Sequence, residues 1–449
     1  MSSFSPLSPP HSLSGLDWLF TQQKSGISRD LDAITALLKV LGNPEKKFPV
    51  FHIAGTNGKG SVSAFAASLL KAAGVRVGLY TSPHLIDFRE RIQLEGRLIS
   101  PEDLESGIRR LQAATQTWPL LPTFFELTTA LAFDYFALQE CDVVVLETGL
   151  GGRLDATNLA EKKIACAMTP ISLDHQEWLG SKLVDIAREK AGIMRQGVPL
   201  VTSPQPKEAM TLLNKEALRL DVPIVRIREP LSKSVSLGLI GPHQRWNAAL
   251  ALRLVEQGPW KLSQRSQHEG FQSVFWPGRF QRILVKKDQG FLLSSFINGE
   301  QQEISSFING EQQEIIVDGA HNPAAIKQLV ITWKEQFPHQ QCTLIFGALS
   351  DKDWKSMLSL LEPITSEMIL VPVSSTRAVA PDEIRRFFPN ARTVPSLQEA
   401  FIKKNGKDLL LKKECRAPIL LTGSLFLVGE ALSLLQGREY HPSGESQLF

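Results

Sequence analysis

Two kinds of apolar pattern alternate along this chain. Some stretches place apolar residues at helical spacing. Others are short continuous apolar runs bounded by Gly, Pro or polar residues, as buried strands are. Leu16, Leu19 and Phe20, then Leu31, Ile34, Leu37, Leu38 and Leu41, predict two helices, the second stopped by Gly42-Asn43-Pro44. Strands are predicted at Phe48–Ala54, Val75–Tyr80, Cys141–Glu147, Ile164–Thr169, Leu200–Thr202 and Pro223–Arg226. Helices are predicted between and after them, at Val62–Lys71, Pro101–Ala114, Phe124–Leu138, Lys182–Ile193, Lys207–Arg219 and Ala248–Glu256. Lys261–Glu269 has the polar composition of a linker, and Trp276-Pro277-Gly278-Arg279 after it marks a domain boundary. Beyond it, runs at Phe280–Val285, Ile315–Val317, Thr343–Phe346, Met368–Val373 and Pro418–Thr422 again alternate with helical stretches.

Strand–helix alternation on both sides of the boundary predicts an α/β protein of two domains. Residues 15–276, in which the strand at Phe48–Ala54 is joined to the next helix by a loop holding Gly55, Gly58, Lys59, Gly60 and Ser61, are expected to form a P-loop ATPase-like domain with a mostly parallel sheet, and residues 277–449 a smaller Rossmann-like α/β domain. The first fourteen residues hold six Ser and three Pro and are expected to be a disordered leader; Gly437–Phe449 reads as a polar tail. Within the second domain, Ser294–Ile304 recurs without change as Ser305–Ile315. A single perfect copy of eleven residues points to recent duplication or a sequence error rather than a repeat architecture. Each copy carries Asn-Gly, a strong hairpin signal, and an odd insertion would swap the faces of an extended strand. One copy is therefore expected to loop out as an extra hairpin.

Composition narrows the class. A chain of 449 residues is too long for one ordinary core, and 43% hydrophobic with 21% charged residues is globular. A net charge of +3 gives no electrostatic argument for nucleic acid, and no apolar run reaches the ~18–20 residues of a membrane span. Without a secretory pattern at the N-terminus, the expected compartment is the cytoplasm, and the expected state a monomer. Cys141, Cys166, Cys342 and Cys415 lack metal-ligand spacing and read as reduced, mostly buried thiols.

The strongest chemical signal lies between the strand at Phe48–Ala54 and the next helix: Gly55-Thr56-Asn57-Gly58-Lys59-Gly60-Ser61. Glycines let successive N–H groups turn inward, a helix N-terminus adds its dipole, and Lys59 adds a full charge. This is a phosphate cradle, with the Ser61 hydroxyl placed to reach Mg²⁺. Glu147 ends a buried strand, where an acid either holds a metal or is simply solvated; the glycine-rich, polar loop Thr148–Asn158 behind it favours a ligand. His84 follows a strand end. Arg89-Glu90-Arg91-Ile92 reads as a solvated charge run, and His243-Gln244-Arg245-Trp246-Asn247 as a helix cap. His175 and Lys190, taken alone, read as an ordinary histidine and a solvated lysine.

Together, Gly55–Ser61, Ser82-Pro83-His84-Leu85, Glu147 with Gly149–Asn158, Leu173-Asp174-His175, Ala187–Ile193, His243-Gln244 with Asn247, Pro277-Gly278-Arg279 and Asp318–Pro323 resemble the folylpolyglutamate synthase and dihydrofolate synthase family, relatives of the Mur peptide ligases. The resemblance runs from about Leu16 to about Glu430. It implies an ATP-dependent ligase joining L-glutamate to the carboxylate of dihydropteroate or a reduced folate through an acyl phosphate, with both activities on one chain. It implies that Gly55, Thr56, Asn57, Gly58, Lys59, Gly60 and Ser61 hold the ATP phosphates, with Asn247, Arg279 and Asp318 on the rest of the nucleotide. Ser61, Glu147 and His175 would hold two Mg²⁺ ions, and Lys190 would be carbamylated. Lys59, His175, Lys190 and His321 would be the catalytic set. Ser82, Pro83, His84, Gly151, Arg153 and Asp155 would face the pterin or folate. Alternatives are a ligase of folylpolyglutamate alone, another Mur-type amide ligase, and, outside enzymes, a nucleotide-dependent binding protein. A nucleotide-linked muramyl substrate fits less well, since Mur ligases normally carry a further N-terminal domain and only about fifty residues precede the phosphate loop.

Overall fold

The computed structural model describes residues 15–22, 28, 30–286, 312–401, 417–438 and 440. The leader, most of the polar tail and both Asn-Gly pairs of the duplicated segment lie outside the described residues.

The first sheet has eight strands: β1 (Val50–Ala54), β2 (Val77–Tyr80), β3 (Ile92–Leu94), β4 (Arg97–Leu98), β5 (Val143–Glu147), β6 (Lys163–Met168), β7 (Leu200–Thr202) and β8 (Ile224–Arg226). Their order is β4-β3-β2-β5-β1-β6-β7-β8. The six from β2 to β8 are parallel, and β3 and β4 add an antiparallel edge. Every residue of β1 and β5 is buried, which explains why both are dominated by apolar residues rather than alternating; the one polar residue inside β1, His52, is paired with the Thr157 hydroxyl. From β1 the order departs in both directions, towards β5 and β2 on one side and β6 to β8 on the other. The carboxyl end of β1 is thus a switch point, where an open α/β sheet leaves a crevice.

The second sheet has six: β9 (Gln281–Lys286), β10 (Gln312–Val317), β11 (Cys342–Phe346), β12 (Thr365–Leu370), β13 (Arg392–Thr393) and β14 (Ile419–Thr422), in the order β13-β12-β11-β14-β10-β9. All neighbours are parallel except β9 with β10. Along the chain, the Trp276–Arg279 stretch lies between the last strand of the first sheet and the first strand of the second.

Three expectations are corrected. The Lys261–Glu269 stretch is not a linker: Gln264–Gln272 is a helix capped by Ser263, whose hydroxyl accepts from the Ser266 N–H. It packs on helix Lys59–Ala72, where Gly270 lies against Leu69, Ser68 Oγ donates to the Gly270 carbonyl at 2.7 Å, and Phe271 is buried against Phe65. Burying Phe271 contributes about 2 kcal/mol. Its polarity belongs to the outer face of an amphipathic helix. Next, the 243–247 cluster is no cap but lies inside helix Pro242–Val255, with Gln244 and Asn247 buried. Finally, Arg89-Glu90-Arg91 is not a solvated run: Arg91 has no exposed surface, lies over the Phe88 and Phe124 rings, and donates from Nε to His84 Nδ1 at 2.8 Å. Cys141, Cys166 and Cys342 are free and buried, as expected.

The end of the second copy, Gln312–Ile315, forms the start of β10, with Gln313 opposite Val285 and Ile315 opposite Ile283. Deleting Ser294–Ile304 leaves this register available, because the retained copy supplies the same residues before β10. Loop closure alone changes stability by about 0.5 kcal/mol for such a shortening. Melting temperature and turnover close to those of the full chain are the expected result; a large loss of either would show that the extra copy is structural.

Candidate functional site

The phosphate loop follows β1 directly. Helix Lys59–Ala72 begins three residues earlier than its apolar pattern suggests, so Lys59, Gly60 and Ser61 are its first turn. Their N–H groups have no intrahelical acceptor and are free to meet an anion. Gly58, at φ +91°, could not be replaced without cost: a Cβ there would lie 2.7 Å from Asn247 Oδ1. A side chain of helix Pro242–Val255 thus backs the loop, and Gln244 Oε1 fixes it by accepting from Asn247 Nδ2 at 2.9 Å. On the other side the Thr56 N–H donates to the Pro170 carbonyl at 3.1 Å. Lys59 Nζ donates to the Thr56 carbonyl at 3.3 Å, which keeps the ammonium over the loop.

A cavity of about 240 Å³ opens from this loop into the cleft between the two sheets. It is lined from the first domain by the phosphate loop, Ser82, Pro83, Glu147, Gly151, His175, Lys190 and Asn247, and from the second by Arg279, Asp318 and His321. Three of the predicted residues do not line it. His84 is buried behind the wall, bonded to Arg91. Arg153 points away and pairs with Glu189 at 3.0 Å. Asp155 is buried, and its Oδ2 accepts from the N–H groups of Gly149 and Leu150 at 2.8 and 2.9 Å. Its carboxylate is spent on folding the glycine-rich loop, so its spacing from the glycines reflects loop architecture rather than ligand contact.

Glu147 ends β5 beside Ile53 of β1 and is only 5% exposed, so it is neither the solvated acid nor the exposed strand end that sequence allows. Across the cleft, burial lowers the basicity of Arg279, opposed by the nearby carboxylates of Asp318 and Glu147. Asp318 directly follows β10; its Oδ2 accepts from the Phe280 N–H and its Oδ1 from the Ala320 N–H. Burial pushes its carboxyl up, against the pull of Arg279 and these amides.

Lys190 is buried too, with Nζ donating to the Gly55 carbonyl at 2.7 Å. Burial, with the charge of Lys59 beside it, pulls the ammonium down from 10.5 to about 7. The reading of a lone solvated lysine is therefore wrong. His175 sits in a left-handed conformation (φ +50°) and keeps 30% of its side chain open to the cavity. Desolvation, with the charges of Lys352 and Lys59 nearby, outweighs Asp174 and holds its pKa at about 3, so the imidazole is neutral and has a lone pair to offer.

Residues that no spacing argument singled out complete the cleft. Asp174 accepts from Lys352 Nζ at 2.6 Å and from Asn322 Nδ2 at 3.0 Å, and His321 Nε2 is 3.7 Å away. Burial alone would raise its carboxyl, but His321 and the Lys352 ammonium hold it well below the usual range. Asn322 also exchanges amide hydrogen bonds with Asn57 of the phosphate loop, at 3.0 and 3.1 Å. Asp174 and Lys352 each follow a strand end, a signal that places them on the ligand side; only the fold shows that they meet.

Among the described residues no group of three His, Cys, Asp or Glu forms a cage for a metal. The donor set that lines the cavity, a Ser61 hydroxyl and a Glu147 carboxylate, fits Mg²⁺, which usually keeps waters and shares one or two carboxylates with substrate phosphates.

Residues 305–411 match the family model "Mur ligase, glutamate ligase domain". The match begins at the second copy of the duplicated segment. The chain is 32% identical to the dihydrofolate synthase/folylpolyglutamate synthase of Bacillus subtilis, over 92% of this chain and 96% of that one. Among solved structures it resembles Mycobacterium tuberculosis folylpolyglutamate synthase complexed with ADP and AMPPCP, with a TM-score of 0.79, 29% identity and coverage of 95% and 99% of the two chains. It is also similar to E. coli FolC in complex with DHPP and ADP, with a TM-score of 0.78, 26% identity and coverage of 96% and 99%.

Proposed function

The chain belongs to the dihydrofolate synthase/folylpolyglutamate synthase family of Mur-type ligases, and from that premise we propose that it uses ATP to join L-glutamate to the carboxylate of dihydropteroate and of reduced folates, working as a monomer in the cytoplasm. The observation that carries the reading is the placement of the phosphate loop, Glu147, His175 and Lys190 from one domain against Arg279, Asp318 and His321 from the other, around one cavity. No helix among the described residues is long and apolar enough to cross a membrane.

The acceptor carboxylate attacks the γ-phosphorus of ATP, releasing ADP and leaving an acyl phosphate; the glutamate amine then attacks the acyl carbon, phosphate departs with the C–O electron pair, and the amine loses a proton. Both first-step reactants are anions. Lys59 and the first-turn N–H groups of its helix offset that repulsion and the charge on the transferring phosphoryl group. Asn247 braces the loop, while Arg279 and Asp318 reach the nucleotide from the second domain. The Ser61 hydroxyl and Glu147 carboxylate would hold one Mg²⁺, and the neutral His175 a second. Bound there, Mg²⁺ supplies charge neutralisation at the phosphate oxygens. The roof made by Asp318–Asn322 shields the acyl phosphate from water.

Lys190 fits carbamylation. Only a neutral amine attacks CO₂, and lowering the pKa from 10.5 to about 7 raises the neutral fraction at pH 7 from about one in three thousand to about half. The carbamate replaces a cation with an anion next to the metal positions, and its formation releases a proton.

ADP release tests the whole reading, measured with ATP alone, with dihydropteroate plus glutamate, and with tetrahydrofolate plus glutamate. Stimulation by both acceptors is expected. Stimulation by one alone reduces the chain to a single activity, and release indifferent to both overturns the ligase reading.

A further inference from the structure

After β2 the chain leaves the first sheet and enters the core of the second domain. Leu85 is 8% exposed and lies in an apolar cluster whose other buried members all fall between Ile283 and Leu435. Its seat is built from small residues. A Cβ on Gly429, in helix Leu425–Leu435, would lie 2.2 Å from the Leu85 carbonyl oxygen. Gly278 adopts φ +67° in the stretch between the sheets, and a Cβ there would meet Val428 Cγ1 at 2.8 Å and Leu85 Cδ1 at 3.3 Å. The turn that presents Leu85 is fixed from within: the Glu90 carboxylate accepts from the N–H groups of Leu85, Ile86 and Asp87 at 2.7, 3.1 and 2.9 Å.

Both partners in this contact also reach the cavity. Ser82 and Pro83, just before Leu85, form part of its wall, and so do Ser424 and Leu425 at the start of the helix that holds Gly429. One short segment and one helix therefore border the cavity at one end and grip each other at the other.

We propose that Leu85 is a positioning residue: seated between Gly278, Val428 and Gly429, it lets the second domain hold the Ser82–Pro83 wall in place for the acceptor. This rests on the reading of the cavity as the site of a carboxylate-bearing pterin or folate. The lever is short, two residues from plug to wall, and a wall misplaced by about 1 Å is enough to cost up to about a hundredfold in rate.

Steady-state kinetics on the full chain test it. In Leu85→Ala the KM for dihydropteroate or tetrahydrofolate is expected to rise about tenfold while the KM for ATP stays within about twofold. Leu85→Met should restore both, and Gly429→Ala, pressing on the Leu85 carbonyl from the other side, should reproduce the split. An equal rise in both KM values, or no rise in either, overturns the proposal. If Leu85→Ala does not fold, the milder Leu85→Val decides by the same criterion. Hydrogen exchange without substrates reads the seat itself. Faster exchange of the Leu85, Ile86 and Asp87 amides in the variant is expected, and unchanged exchange overturns the positioning role even where ligase activity is absent. A wild-type chain whose ADP release ignores both acceptors fails the functional reading instead.

Discussion

Glu147→Gln is expected to lower turnover by at least about a thousandfold while the chain melts within a few degrees of wild type. Glutamine keeps the volume and the strand-end position, so the fully buried β5 is not disturbed. What is lost is a negative charge 5% exposed at the cavity wall, facing the place where the proposed reading puts the ATP phosphates and their cation. Arg279 keeps its second carboxylate, Asp318, so the buried guanidinium is not left without a counter-charge. The decisive measurement is single-turnover ADP formation together with a melting curve. Wild-type-like turnover would remove Glu147 from the metal site, and a collapse of the melting temperature would make it a structural residue.

Lys190→Ala should also abolish amide formation, with activity partly restored by short carboxylates such as acetate or formate diffusing into the vacated space. Rescue by an anion is the informative part. If Lys190 acts as a cation, an added carboxylate cannot replace it, whereas a carbamate is mimicked by one. No loss in the variant excludes the role, and rescue by an amine instead of a carboxylate would show that the ammonium is the active form. The unmodified lysine also leaves a mark on stability. Its folded pKa of about 7 lies below the 10.5 of an exposed lysine, so between those values the unfolded chain binds the proton more tightly. Stability from this group therefore rises as pH climbs from about 7 to about 10.5, and Lys190→Ala should flatten that part of the melting-temperature profile.

Strand positions were legible because buried parallel strands leave continuous apolar runs, and β1 and β5 are of that kind. The phosphate loop was legible because strand, glycines, Lys59 and helix are consecutive, so local spacing and spatial arrangement coincide. Misreadings occurred where a residue's neighbours are remote. Gln264–Gln272 looks like a linker because its apolar face is narrow, and its partner Leu69 lies some two hundred residues away. Arg89-Glu90-Arg91 looks solvated because nothing nearby in sequence announces that Glu90 will be satisfied by three backbone N–H groups, or Arg91 by His84 and two phenylalanine rings.

The sequence by itself determined the α/β class, the two-part organisation and the glycine-rich strand–loop–helix, since each rests on patterns a few residues to a few tens of residues long. Only the tertiary structure decided which charged groups would be perturbed and which would meet. Burial and charge–charge interactions depend on distance in space: they bring Lys190 to about 7 and set Asp174 of one domain against Lys352 of the other, while backbone N–H groups turn Asp155 inward to its own loop. The seat of Leu85 is of the same kind, since the absence of a Cβ at Gly429 acquires meaning only when two distant segments come within contact.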